Sequence, residues 1–173
     1  AELLGGGRAG DDAALVTDPG TPLVSDPGYR LVRAAIDEGI PITSLPGASA
    51  VTTALTASGL PPHPFRFIGF LPRTAAARRA ELEKVRADPA TLVAFEAPRR
   101  LTGALRDALA VLGDRPACLG RNLTKSHERY QRGPLSRLLG ELGAESEVRG
   151  ECTLLMGGST VRPMVTDQVV AEV

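Results

Sequence analysis

Val16-Thr17-Asp18-Pro19-Gly20-Thr21-Pro22-Leu23-Val24-Ser25-Asp26-Pro27-Gly28 decides how this chain is read. An apolar run, Ala13 to Val16, leads into two Asp-Pro-Gly turns eight residues apart. Residues 28–38 then carry Leu31, Val32, Ala35 and Ile36 on one helical face. A strand that ends in such a loop presents main-chain N–H groups and a carboxylate at the carboxyl edge of a sheet. Open α/β sheets bind their ligands at that edge. The loop holds neither G-x-G-x-x-G nor G-x-x-x-x-G-K-[ST], so it is no pyrophosphate cradle, and the ligand it points to carries no phosphates. On turn chemistry alone, a plain strand-to-helix connection serves as well.

Working outward, the spacing predicts strands at 13–17 and Ile42–Leu45. Each is followed by a helix: 28–38, stopped by Gly39, and one entered from Ser49 that carries Val51, Ala54 and Leu55 and stops at Gly59. Ala1–Leu4 reads as the end of a further helix closed by Gly5-Gly6-Gly7. Leu60-Pro61-Pro62-His63-Pro64 suits neither helix nor central sheet and reads as a stiff linker. Beyond it the pattern predicts a strand at Phe65–Phe70, an Arg-rich helix at 74–86 and a buried strand at Thr91–Phe95. The clearest helix follows at 99–112, with Leu101, Ala104, Leu105, Ala108, Leu109 and Leu112 in the 3.6 period. A strand at Ala117–Gly120, a charged loop or hairpin at 121–133, a helix opened by Pro134 and a closing strand at Cys152–Met156 complete the pattern. The expected fold class is α/β, in two α/β lobes with the ligand cleft between them. The lobes span 1–60 and 66–157, 61–65 is the Pro-rich linker, and the tail 158–173 is unassigned.

Hydrophobic residues make up 43% of the chain but aromatics only 3%, so the core must be aliphatic. No run reaches the roughly 18 apolar residues of a membrane span, and no signal-peptide pattern is present, so no membrane partner is expected. Cys118 and Cys152 lie in apolar strand-like runs and read as buried hydrophobes, which sets a cytoplasmic location as the expectation. His63 and His127 have no partner at ligand spacing, so no metal is expected. No Ser or Cys stands in the context of an activated nucleophile. Formal charge is zero overall but unevenly spread. Residues 1–65 carry three basic and seven acidic side chains, residues 66–157 sixteen basic and eleven acidic. The basic half suits a polyanionic partner, although ordinary solvated helix faces also account for it.

Thr17-Asp18-Pro19-Gly20-Thr21-Pro22-Leu23-Val24-Ser25-Asp26-Pro27-Gly28-Tyr29 and Leu45-Pro46-Gly47-Ala48-Ser49-Ala50 are followed by Gly69-Phe70-Leu71-Pro72-Arg73 and Phe95-Glu96-Ala97-Pro98-Arg99-Arg100-Leu101. Leu123-Thr124-Lys125 with Glu128, Arg132-Gly133 and Gly150-Glu151 complete the set. In that order, over residues 10–157, the chain resembles the tetrapyrrole-methylase-fold methyltransferases. Within them it is similar to the branch that methylates the 2′ oxygen of a cytidine ribose in small-subunit ribosomal RNA. The resemblance implies S-adenosylmethionine held between the lobes, largely by main-chain groups. Asp18 and Thr21 would meet it at the first loop, Ser49 and Ala50 at the start of the next helix, Phe95 and Glu96 from the second lobe, with the backbone near Leu123. It also implies a homodimer and the small ribosomal subunit, or its rRNA, as partner. Relatives usually begin with a further strand and helices containing a Pro-x-Gly-Asn-type loop, so the first lobe is expected to be incomplete. Asn122 and Arg99 stand where the branch commonly has Glu and His.

Methyl transfer from a sulfonium is an in-line displacement, so alignment of donor and acceptor supplies much of the acceleration. A ribose hydroxyl also needs a base, or a cation that stabilises alkoxide character. Glu96, a carboxylate at a strand end, and Lys125 are the two catalytic candidates. Against Glu96 stands an ion pair with Arg99 or Arg100, which would lower its pKa and make it a poor base. Lys125 is one of only two lysines among twenty basic residues, and its retention points to a site that wants a compact point charge. An exposed loop lysine is the plainer reading. Ser49 doubles as a helix cap. For RNA contact the candidates are Arg73, Arg78, Arg79, Arg99, Arg100, Arg121, Lys125, Arg129 and Arg132, with Tyr130 and Phe70 as stacking platforms. So few aromatics favour recognition of shape and backbone over base stacking. Two other functions fit the same residues: a tetrapyrrole or precorrin C-methyltransferase, and a non-catalytic dimerisation or binding module.

Overall fold

Leu92 and Ala94 face one side of a central strand, Val93 and Phe95 the other, and this alternation builds a core on both faces of one sheet. The computed structural model describes residues 12–17, 20–143 and 149–160. Five strands form the sheet: β1 (Phe65–Phe70), β2 (Thr91–Glu96), β3 (Pro116–Arg121), β4 (Arg129–Pro134) and β5 (Cys152–Met156), in the spatial order β1-β2-β5-β3-β4. β1 and β2 are parallel, with Phe65 opposite Thr91. β5 runs antiparallel between β2 and β3, pairing Ala94 and Leu119 with Leu154 on its two sides. β4 returns antiparallel on β3, so the charged 121–133 segment is a hairpin.

The helices are α1 (Tyr29–Asp37), α2 (Ala50–Ser58), α3 (Ala75–Lys84), α4 (Pro98–Leu112) and α5 (Leu135–Gly143). The larger core gathers Leu82 of α3, Leu101, Leu105 and Ala108 of α4, and Leu135 and Leu138 of α5 over Leu92, Leu119, Leu154 and Met156. Each of these leucines is fully buried, a contribution of roughly 1.5–3 kcal/mol apiece before entropy is counted. The opposite face is covered by α2, whose Val51, Ala54 and Leu55 pack on Val93, Cys118 and Leu155. Both cysteines are thus buried core residues. Thr74 begins α3 by accepting the Ala77 N–H at 3.4 Å, and Pro98 occupies the first turn of α4, where its missing donor costs nothing.

The two strands expected in the first 60 residues do not form: among the described residues, 12–17 and 40–48 belong to no strand. A strand must satisfy its N–H and C=O groups on a neighbour, and neither run is laddered to another described segment. Val16 and Leu45 are 82% and 83% exposed as a result. The helices that follow them form close to the expected positions. The Pro-rich stretch is neither helix nor strand, and it is tied to β2, where Thr91 donates its hydroxyl to Pro61 (2.7 Å) and its N–H to Pro64 (3.0 Å).

Candidate functional site

β1, β2 and β3 run one way and β5 the other, so the carboxyl ends of three strands and the start of β5 meet on one edge. Along it Phe70, Phe95–Pro98, Leu123–Thr124 and Gly150–Thr153 face parts of the 20–26 loop and residues 48–51 across a cleft of about 370 Å³. That volume falls in the range of small-molecule sites. Six sequence-predicted positions, Thr21, Ser49, Ala50, Phe95, Glu96 and Leu123, line it together. Asp18 lies outside the described residues.

Each wall has a local cause. Thr21 donates its hydroxyl to the Ala48 carbonyl at 3.1 Å, joining the two loops of the first wall. Ser49 is the residue before α2, and its carbonyl accepts the Thr53 N–H at 2.9 Å. Its side chain makes no capping bond, and the residue lines the cleft, so the plain cap is not how this side chain is used. Phe95 meets Phe67 and Phe70 edge-on, with ring centroids 4.8 and 5.5 Å away. Leu123 folds back over Gly120 so closely that a Cβ there would sit 2.9 Å from Leu123 Cδ1.

The segment after β3 is zipped to the start of β5. Asn122 and Thr124 both take left-handed backbone, with φ of 51° and 66°. The Asn122 N–H donates to the Glu151 carbonyl (3.0 Å), the Glu151 N–H to Asn122 Oδ1 (3.2 Å), and Thr124 N–H to the Glu128 carboxylate (2.8 Å). A neutral amide at 122 therefore makes these contacts without placing a second carboxylate beside Glu151. Lys125 Nζ pairs with Glu151 Oε1 at 2.6 Å beside the cleft mouth.

Glu96 is 2% exposed. Its Oε1 accepts the Ala97 N–H at 2.7 Å and the Arg100 guanidinium at 2.6 Å. The ion pair weighed from the sequence therefore forms, with Arg100 as partner, but its expected consequence is corrected. Burial pushes the carboxyl above its usual range, and the Ala97 N–H and the charges of Arg100 and Arg78 only partly oppose it.

The basic candidates divide. Arg73, Arg99, Lys125 and Arg129 are exposed. Arg100 also reaches the Leu71 carbonyl, Arg121 is 7% exposed and donates to the Arg149 carbonyl, and Arg132 donates to the Ala57 carbonyl at 2.9 Å with its guanidinium 5.1 Å from the Tyr130 ring centre. Arg78 and Arg79 both grip Asp107 of α4. The latter cluster escaped the sequence reading, although a carboxylate three residues after Ala104 and one before Ala108 stands in a buried stripe and was a visible signal. Arg78 also donates to the Pro72 and Arg73 carbonyls, which steadies the loop after β1.

Fold and cleft together define an α/β domain of the class that takes a small ligand at the carboxyl edge of its sheet. Residues 7–139 match the family described as Tetrapyrrole (Corrin/Porphyrin) Methylases, and the chain belongs to that family. It is 53% identical over 170 residues to Ribosomal RNA small subunit methyltransferase I of Micromonospora olivasterospora, covering 98% of this chain and 54% of that protein. It is 50% identical over 158 residues to the Mycobacterium tuberculosis protein of the same name, covering 91% and 55%. The chain thus spans about half the length of the curated relatives it matches. Among solved structures, the methyltransferase CobJ aligns with a TM-score of 0.66 at 20% identity, over 94% of this chain and 71% of that one. Uroporphyrin-III C-methyl transferase from Thermus thermophilus, complexed with S-adenyl homocysteine, aligns with a TM-score of 0.59 at 22% identity, over 90% and 70%. At such identities the likeness is one of fold.

Proposed function

We propose that this chain carries the cofactor cleft of an S-adenosylmethionine-dependent methyltransferase that modifies the 2′ oxygen of a cytidine ribose in small-subunit ribosomal RNA. The observation that carries the reading is the convergence of Thr21, Ser49, Ala50, Phe95, Glu96 and Leu123, from four separate segments, on one cleft of about 370 Å³. The donor set fits such a group: a hydroxyl at Ser49, the start of a helix, aromatic and leucine surface, and a buried carboxylate. When bound, the cofactor supplies an electrophilic methyl on a sulfonium. Thr21, Ser49 and Ala50 hold it from one side, Phe95, Glu96 and Leu123 from the other, and Asp18 joins the first group. The edge-on contacts of Phe95 with Phe67 and Phe70 hold its ring in place on that wall.

In the same reading Lys125, exposed at the mouth, positions the acceptor ribose or its phosphate. The exposed Arg73, Arg99 and Arg129 extend the phosphate footprint, while Arg100, Arg121 and Arg132 act mainly through the protein's own acceptors. Residues 1–60 and 66–157 work as two lobes joined at 61–65, the protein acts as a homodimer in the cytoplasm, and the small ribosomal subunit is its partner. The name carried by relatives at 50–53% identity supports rRNA over a tetrapyrrole as substrate.

The test supplies the protein with methyl-labelled cofactor and, in parallel, small ribosomal subunits, naked rRNA and a uroporphyrinogen. Label in a cytidine ribose of the subunit rRNA is the expected result. Label in the tetrapyrrole would replace this reading with the corrin or porphyrin one.

A further inference from the structure

Phe67 and Phe70 stand three residues apart on β1, a spacing that sends the side chains of a regular strand to opposite faces of the sheet. Here both rings meet Phe95 edge-on, so they share one face. The cause is a bulge. Phe67 lies opposite Val93 and Phe70 opposite Phe95, so β1 carries one residue more than β2 between the two pairs. Gly69 takes up the extra residue with φ at +68°, backbone that a side chain would strain. In a regular strand Phe70 would follow Ile68, which packs against the larger core. Instead its ring is 55% exposed on the cleft wall, in contact with Phe95. Burial beside Ile68 is forgone for this placement, and bulges next to active sites re-aim side chains in the same manner.

The surroundings of the ring select its ligand. Leu71 donates its N–H to the Phe95 carbonyl and Arg100 donates to the Leu71 carbonyl, both at 3.4 Å, so the chain after Phe70 lies beside the chain after Phe95. Each segment contributes an exposed arginine, Arg73 and Arg99, whose guanidinium has no hydrogen bond or ion pair among the described residues. Free guanidiniums suit phosphates, which the adenosyl cofactor lacks, and an exposed ring suits the face of a nucleobase. We infer that Phe70 is the platform on which the base of the acceptor nucleotide stacks, while Arg73 and Arg99 take phosphates beside it. A ribose held in this way is presented to the methyl donor in the same cleft. The base must leave its own stack to reach the ring, as bases do in enzymes that modify them. One ring serves one base, and the rest of the RNA is still read by shape and backbone. The inference rests on the RNA reading above and adds the residue that holds the acceptor.

Two variants test it. Phe70→Leu keeps an apolar side chain against Phe95 but removes the aromatic face, and Phe70→Tyr keeps that face. With methyl-labelled cofactor and small ribosomal subunits, kcat/KM for the subunit is expected to fall on the order of tenfold or more in Phe70→Leu, and to stay within about twofold of the parent in Phe70→Tyr. The affinity for S-adenosylhomocysteine, followed by calorimetric titration, should be unchanged in both. Full transfer by Phe70→Leu overturns the inference, and so does an equal loss in both variants, which would make the role one of packing. Cofactor affinity that falls in step with transfer also overturns it, because the ring would then serve the cofactor. Absence of transfer to rRNA by the unaltered protein overturns the RNA reading itself.

Discussion

Thr21 and Ala48, twenty-seven residues apart, are joined by a 3.1 Å hydrogen bond that ties the two loops of one cleft wall to each other. No strand pairing supports either loop among the described residues, so this bond acts chiefly on the shape of the wall. Thr21→Val keeps the volume and deletes the donor. A lost bond of about 1 kcal/mol corresponds to a roughly fivefold weaker affinity for S-adenosylhomocysteine. Thr21→Ser restores the donor and should restore the affinity, while both variants melt close to the parent.

Asp107 binds two guanidiniums, Arg78 at 2.5 Å and Arg79 at 2.6 Å, and is itself buried. Burial works against its charge, but the hydrogen bonds and charges of Arg79 and Arg78 together outweigh it, so the carboxyl titrates below its usual range. A depressed folded-state pKa means that the stabilisation is complete above the unfolded-state value and is lost as pH falls through the folded one. Urea unfolding should therefore show stability dropping on the acid side of the normal aspartate range. Asp107→Asn removes that part of the profile and costs about 3 kcal/mol at neutral pH, because Arg78 is left buried without its counter-charge.

The helices were legible because their apolar residues repeat at 3.6 and their ends carry Gly or Pro, both local signals. The strands at 13–17 and 42–45 were legible as segments but not as strands, since pairing depends on a neighbour that local pattern cannot supply. Turn chemistry alone did not say which loops would meet; the resemblance carried by the ordered motifs grouped Thr21, Ser49, Phe95 and Leu123 before any coordinates. The sign of the Glu96 shift was beyond reach, because it depends on how fully the carboxyl is desolvated. Counting arginines also overstated the free basic surface. Arg100 and Arg121 look alike in sequence to Arg99 and Arg129, yet they reach the Leu71 and Arg149 carbonyls inside the protein.

Gly150 holds φ at +87°, and a Cβ there would run into the Asn122 side-chain amide. That amide cannot swing away freely because its Oδ1 accepts the Glu151 N–H. Gly150→Ala should cost about 2 kcal/mol, combining backbone strain with the broken Asn122 contact. Adding Asn122→Gly relieves the collision but not the backbone strain, so the double variant should recover about half of the loss. The non-additivity, read from denaturant midpoints, is the signature of direct contact.

Lys125 pairs with Glu151 at 2.6 Å, but the carboxylate partner is 71% exposed, so the pair adds little stability. A phosphate can therefore replace Glu151 at low cost, and the two residues should affect RNA in opposite directions. Lys125→Gln should weaken rRNA binding and reduce the slope of log affinity against log salt by about one unit. Glu151→Gln, which frees the ammonium, should strengthen binding at low salt without steepening stability loss. Lys125→Arg keeps the charge but spreads it over a planar fork, so binding should survive while methyl transfer falls. Full turnover by Lys125→Arg would confine this lysine to general phosphate attraction, and an unchanged salt slope in Lys125→Gln would take it out of the RNA footprint altogether.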